Sequence, residues 1–218
     1  KGLSGTEESP IRLTRDPSWG DGEAMISGSE RVANWSLGSP HPQIPEANKV
    51  WTAEVNFLPR NLWLTNDEGN VLNIPLARTP NWEKSDPYDP MSEWWAWENP
   101  QWWKHPGAPD RRAKTQKKNL GLVGIDRKNL TEGKDYYEGA VVRTEWGIVM
   151  GMPMPSEVEH FDPQTKTLSF STPFLGPGRI IAGHRYFLEN KPQYLDASGE
   201  YWIEQTGRNS SRIHLRLP

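Results

Sequence analysis

Lys49-Val-Trp-Thr-Ala-Glu-Val-Asn-Phe-Leu-Pro-Arg-Asn-Leu-Trp-Leu-Thr-Asn-Asp-Glu-Gly-Asn-Val-Leu-Asn-Ile-Pro-Leu-Ala77 is the stretch that decides the fold. Its first seven residues alternate between apolar and polar, the two-residue period of a half-buried strand. Asn61–Thr65 and Val71–Ala77 read as two further strands. Between them, Asn66-Asp-Glu-Gly69 supplies residues that tolerate left-handed backbone and bond to their own main chain, so the two runs form a hairpin.

The same pattern continues outward. Upstream, Gly38–Ala47 has three prolines and no period and is a loop, while Ile11–Thr14 and Ala24–Ser27 read as strands around a turn rich in Asp, Pro and Gly. Downstream, strand signals lie at Gly139–Met150, Glu157–Asp162, Thr167–Ser171, Arg179–Ala182, Tyr201–Glu204 and Arg212–Leu217. Short helices are expected only at Glu93–Glu98 and His184–Glu189. The fold class is all-β: an antiparallel β-sandwich or barrel-like domain with a long Trp-rich loop. Residues 1–48 form the starter strands and loop, and residues 49–218 the antiparallel β domain.

Within that domain the stretch 80–118 stands apart. Pro80, Pro87, Pro90, Pro100, Pro106 and Pro109 stop any helix longer than about two turns, and a loop of this length in a compact domain is usually functional or disordered. Disorder fits poorly with Trp94, Trp95, Trp97, Trp102 and Trp103. Pyranose rings stack their C–H faces on indoles, so some of these rings anchor the loop and others present a sugar platform, with Trp94, Trp97 and Trp103 as the candidates. Lys104, Arg111, Arg112, Lys114, Lys117 and Lys118 follow directly. Of these, Arg111, Arg112 and Lys114 suit the carboxylates or sulfate esters of an anionic polysaccharide; the alternative is a solvated charged loop.

Composition narrows the function classes. A chain of 218 residues with 34% apolar content and 12 Trp builds its core from a few large rings. Its formal charge of −3 gives no basic field for nucleic acid. No apolar run is long enough to span a bilayer, and zero cysteines exclude disulfides, Cys nucleophiles and Cys-based zinc sites. The turn Asp16-Pro-Ser-Trp-Gly-Asp-Gly-Glu23 offers Asp16, Asp21 and Glu23 as oxygen ligands for Ca²⁺, against the simpler reading of an Asx-type turn. Glu157 and Glu159 share one strand face and could pair as acid and base, and Tyr136, Tyr137, Arg143, His160, His184 and Arg185 could serve a lyase. None of them forms a recognisable signature.

Two segments resemble the right-handed parallel β-helix proteins that degrade polysaccharides, both lyases and glycoside hydrolases. The first is Ser9-Pro-Ile-Arg-Leu-Thr14, Gly22-Glu-Ala-Met-Ile-Ser-Gly28 and Asn34-Trp35, continuing through Val50-Trp51 and Leu62-Trp-Leu64 to Leu76-Ala-Arg-Thr-Pro-Asn81. The second is Tyr186-Phe-Leu-Glu-Asn190, Tyr194-Leu-Asp-Ala-Ser-Gly-Glu-Tyr-Trp202 and Ile213-His-Leu-Arg-Leu-Pro218. The resemblance implies a few β-helix-like strands flanking the β domain and an extracellular or periplasmic protein, with a catalytic β-helix domain of the parent protein as its partner. It departs from the family in lacking the stacked coils such a fold needs, which suits an N-terminal portion, an excised module or a relative that kept only the inserted β domain. The expected function is a carbohydrate-binding module for an extended anionic polysaccharide. A catalytic portion of such a lyase or hydrolase, and a structural or interaction domain without a sugar ligand, are the alternatives.

Overall fold

The computed structural model describes residues 6, 8, 18, 29–66, 69–82, 91–99, 122–145, 154–170 and 180–217. The chain divides into two compact units, Lys1–Ala33 and Asn34–Pro218. The second carries every element discussed below, and it is all-β.

Its strands are β1 (Ser36–Leu37), β2 (Trp51–Val55), β3 (Leu62–Thr65), β4 (Val71–Ile74), β5 (Arg78–Thr79), β6 (Trp95–Ala96), β7 (Leu122–Ile125), β8 (Val141–Thr144), β9 (Met154–Asp162), β10 (Thr167–Phe170), β11 (Arg185–Glu189), β12 (Glu200–Gln205) and β13 (Ser211–Arg216). One four-stranded sheet runs β1-β2-β13-β12 and a seven-stranded sheet runs β5-β11-β8-β9-β10-β7, with β6 also on β11. All these pairings are antiparallel. The hairpin β3–β4 forms where expected, with Leu62 opposite Ile74 and Thr65 opposite Val71.

The segment Leu76–Thr79 stitches the two sheets together. Leu76 makes a parallel bridge to Tyr201 on β12, and Arg78 and Thr79 then pair with Glu189 and Leu188 on β11. The main core draws on both sheets: Trp202 from the first, with Val50 just ahead of β2, and Val142, Phe161, Leu168, Phe170, Tyr186 and Leu188 from the second. Its large rings compensate for the low aliphatic content, as the composition required.

Three expected elements differ. His184–Glu189 is not a helix: Arg185–Glu189 is strand β11, hydrogen-bonded to β8 on one side and to β5 and β6 on the other. Four consecutive buried residues, Tyr186 to Glu189, mark a strand covered on both faces, which loses the alternation that would have announced it. Glu93–Glu98 is not a helix either, because Trp95 and Ala96 pair with Tyr186 and Arg185. Residues 180–184 form a turn, not a strand. The one α-helix among the described residues, α1 (Lys134–Tyr137), is a single turn that the sequence did not announce. Ile11–Thr14, Ala24–Ser27 and the tail of the Gly139–Met150 run past Glu145 lie outside the described residues.

Candidate functional site

The tryptophan-rich stretch divides sharply. Trp97, expected at the surface, is 2% exposed and sits at the centre of the core. Its indole lies parallel to the Tyr186 ring at 3.5 Å between centroids and 6° between planes, and stacks on Phe170 at 6.2 Å. Its Nε1–H donates to Thr144 Oγ1 at 2.8 Å. Gly124 passes so close that an added Cβ would stand 2.4 Å from the ring. A ring held on every side cannot stack on a sugar, so Trp97 leaves the list of platform residues.

The same anchoring explains why the chain is ordered on either side of it. Asn99 donates to the Val123 carbonyl and accepts from the Ile125 N–H, both at 2.7 Å, acting as an extra rung on β7. Trp95 is partly buried, its edge on Tyr186 at 5.8 Å. Trp94 turns its edge to Phe187 at 4.6 Å. Its Nε1 is buried without a hydrogen-bond partner.

Phe187 belongs to a second aromatic group that sequence reading missed. The Arg78 guanidinium is sandwiched between Trp82, 4.4 Å from its ring centroid, and Phe187, at 4.7 Å. Trp82 is 47% exposed, so its side chain remains accessible while the guanidinium packs against its ring. Trp94 thus borders Phe187 and Trp82 borders Arg78, and of the expected platform residues that are described, Trp94 is the one beside this group. The signal was the Arg78-Thr-Pro-Asn-Trp82 run, whose first four residues carried the family resemblance and whose fifth was passed over.

Behind Arg78 lies a buried ionic cluster. Arg78 and Glu200 are both buried, as are Glu189 and Arg216. Burial pulls Arg78 down to about 10, against the opposing attraction of Glu200 and Glu189. Burial and then the nearby Asp196 push Glu200 up to about 8, and the positive charges of Arg78 and Arg216 offset this only in part. Neither carboxylate oxygen of Glu200 completes a hydrogen bond of normal geometry, the Arg78 backbone N–H approaching only loosely. Its neighbours are better served: Arg143 Nε donates to Glu189 at 2.7 Å, and Arg216 donates to Glu46 at 3.1 Å and to the Pro45 carbonyl at 2.6 Å. At neutral pH Glu200 is therefore mostly protonated, and the charge of Arg78 beneath Trp82 is less than fully compensated.

The other expected residues separate as follows. Glu157 and Glu159 do share the exposed face of β9. His160 bonds to Glu138 at 3.0 Å. Tyr137 is buried, its hydroxyl pushed up to about 12 mainly by that burial. His184 is buried with Nδ1 unpartnered. These groups do not converge on one place with a paired acid and base. Trp63 is 44% exposed on the β3–β4 hairpin. Trp103, Arg111, Arg112 and Lys114, and the oxygen cluster Asp16, Asp21 and Glu23, lie outside the described residues; among the described residues no group of acidic or histidine side chains could hold a metal ion. No protein-family model matches the chain, and no curated protein or solved structure is similar to it.

Proposed function

We propose that the chain is a carbohydrate-binding module that takes an anionic polysaccharide on the open face of Trp82. The observation that carries this is the stack itself: a half-exposed indole with a buried guanidinium 4.4 Å behind it. The outer face offers a sugar the flat apolar surface its C–H groups need. The cation behind the ring, with its neighbouring carboxylate mostly protonated, favours a sugar bearing a carboxylate or sulfate over a neutral one. The partner module we infer is a catalytic β-helix of the same parent protein, and the compartment one where such polysaccharides occur, extracellular or periplasmic.

The test is tryptophan fluorescence and affinity electrophoresis against alginate, pectin, carrageenan and fucoidan, with neutral glucans beside them. The wild-type chain should be retarded by at least one charged glycan, and Trp82→Ala should weaken that binding about tenfold, equivalent to ~1.4 kcal/mol. Trp63→Ala, on the separate hairpin, should leave it unchanged. Equal binding by Trp82→Ala and the wild type, or retardation by neutral glucans alone, would reject the site.

A further inference from the structure

A different cleft, on the four-stranded sheet, holds a second arrangement that the glycan reading does not use. Its volume is about 570 Å³, and Asn34, Ser36, Ser39, Thr52, Glu54 and Arg212 are among the residues that line it. The register of the sheet sets two rows beside it: Thr52, His214 and Trp202 lie opposite one another, as do Glu54, Arg212 and Glu204, and of these Thr52, Glu54 and Arg212 line the cleft. Residues 38–41 run over the first row, with His41 packed edge-on against Trp202 at 5.0 Å between ring centroids.

Within this framework Ser39 Oγ lies 3.0 Å from His214 Nδ1, and His214 Nε2 lies 3.2 Å from Glu204 Oε2. Glu204 is itself held by Arg212 at 3.0 Å, which also grips Glu54 at 2.6 Å. A carboxylate only accepts, so His214 must carry its proton on Nε2 and direct it to Glu204. The lone pair of Nδ1 then faces Ser39, whose O–H donates to it. The His41 backbone N–H donates to the same Ser39 oxygen at 3.1 Å, which stabilises negative charge developing there. A hydroxyl on a base, and the base on a fixed carboxylate, is the connectivity of a nucleophile, its general base and its orienting acid.

We propose that Ser39, His214 and Glu204 form a nucleophilic relay that hydrolyses small acyl esters in this cleft. Ser39 Oγ bonds to the ester carbonyl carbon as its proton passes to His214 Nδ1. The alcohol leaves with that proton as the C–O bond breaks. Water then attacks the acyl-serine, gives one proton to His214 and releases the carboxylic acid, and the proton returns to Ser39. Glu204 stabilises the transient imidazolium and keeps the ring turned with Nδ1 toward Ser39. Asn34, in left-handed backbone with φ of 58°, lines the same cleft. The ring is used the other way round from the familiar serine hydrolases, with Nδ1 to the serine, which changes no step. Burial holds His214 down at about 4, so it is unprotonated, and free to accept, across the neutral range.

The experiment uses the full chain with p-nitrophenyl acetate and a fluorophosphonate probe, followed by peptide mapping. The expected result is a single phosphonylated residue, Ser39, and catalysed hydrolysis lost at least tenfold in Ser39→Ala, a change on a half-exposed loop that should leave the melting transition in place. Glu204→Gln should lower turnover with little change in KM, whereas a purely structural role would lower the melting temperature without touching the rate at a temperature where the chain is folded. Absence of an adduct on Ser39, or hydrolysis unchanged in Ser39→Ala, overturns the proposal. Either outcome leaves the Trp82 site standing, since the two share no residue.

Discussion

Replacing Glu200 by Gln should stabilise the protein in alkaline solution and have far less effect in acid. Glu200 is 2% exposed, its two oxygens have no normal hydrogen bond, and its carboxyl titrates at about 8 in place of the ordinary 4.5. The folded state therefore binds the proton more tightly than the unfolded chain, and stability declines as pH rises from 4.5 toward 8. With one unit worth ~1.4 kcal/mol, the unfavourable contribution is about 1 kcal/mol at pH 5 and about 4 kcal/mol at pH 8. Gln has the same shape and no charge at either pH, so any fixed penalty of its own amide cancels from the difference. Urea unfolding of both proteins at the two pH values should give a stability gap that shifts by about 3 kcal/mol in favour of the variant at the higher pH. A gap that is the same at pH 5 and pH 8 would mean that Glu200 stays ionised throughout, paired with Arg78 and Arg216, and would refute the account of the cluster.

The opposite sign applies to His214, whose folded value is lowered to about 4 by burial first of all; its contribution is present above the ordinary 6.5 and is lost as pH falls toward 4, up to about 3 kcal/mol. His214→Gln should flatten that acid arm in urea titrations, and an unchanged arm would exclude His214 as its source. Gly124→Ala should destabilise by about 1–3 kcal/mol or prevent folding, because the new methyl meets a ring fixed between Tyr186 and Phe170; an unchanged melting temperature would show that Trp97 can move aside. Binding of charged glycans at Trp82 should weaken as pH rises through 8, when Glu200 ionises among Asp196, Glu189, Arg78, Arg216 and Arg143, and should lose that dependence in Glu200→Gln. Affinity electrophoresis at pH 6.5 and pH 9 decides it, a parallel decline in both proteins counting against the coupling.

The elements legible in the sequence were those in which apolar and polar residue types alternate or a turn is spelled out. β13 alternates as Ser-Arg-Ile-His-Leu-Arg, β9 alternates across Glu157, Val158 and Glu159, and the β3–β4 hairpin carries its own turn. β11 escaped because it is buried on both sides, so Tyr186-Phe-Leu188 presents a run of apolar residues that periodicity cannot assign. β5 and β6 are two residues each, too short to hold any period, and exist only because β11 offers them an edge. The relay of Ser39, His214 and Glu204 was illegible for a related reason. It joins a loop before β2 to the last two strands, and only the register that sets Glu54 opposite Arg212 and Thr52 opposite His214 brings them together.

Tryptophan abundance by itself did not identify a binding face, and the contrast between Trp97 and Trp82 says why. An indole's role is fixed by what lies on its two sides. Trp97 has Tyr186 on one face, Phe170 stacked further off and Gly124 against its edge, and its only polar atom is satisfied by Thr144. Every surface of that ring is spent on folding. Trp82 has a guanidinium against its ring and is still 47% exposed. Arg78 is in turn fixed on β5, with Phe187 on its far side and a mostly protonated Glu200 behind it. The ionic cluster that makes Glu200 unfavourable in alkali is thus the same one that leaves a positive charge under the exposed ring. A stability penalty in the interior and a preference for anionic ligands at the surface are two consequences of one buried carboxyl, which is why a single substitution, Glu200→Gln, reports on both.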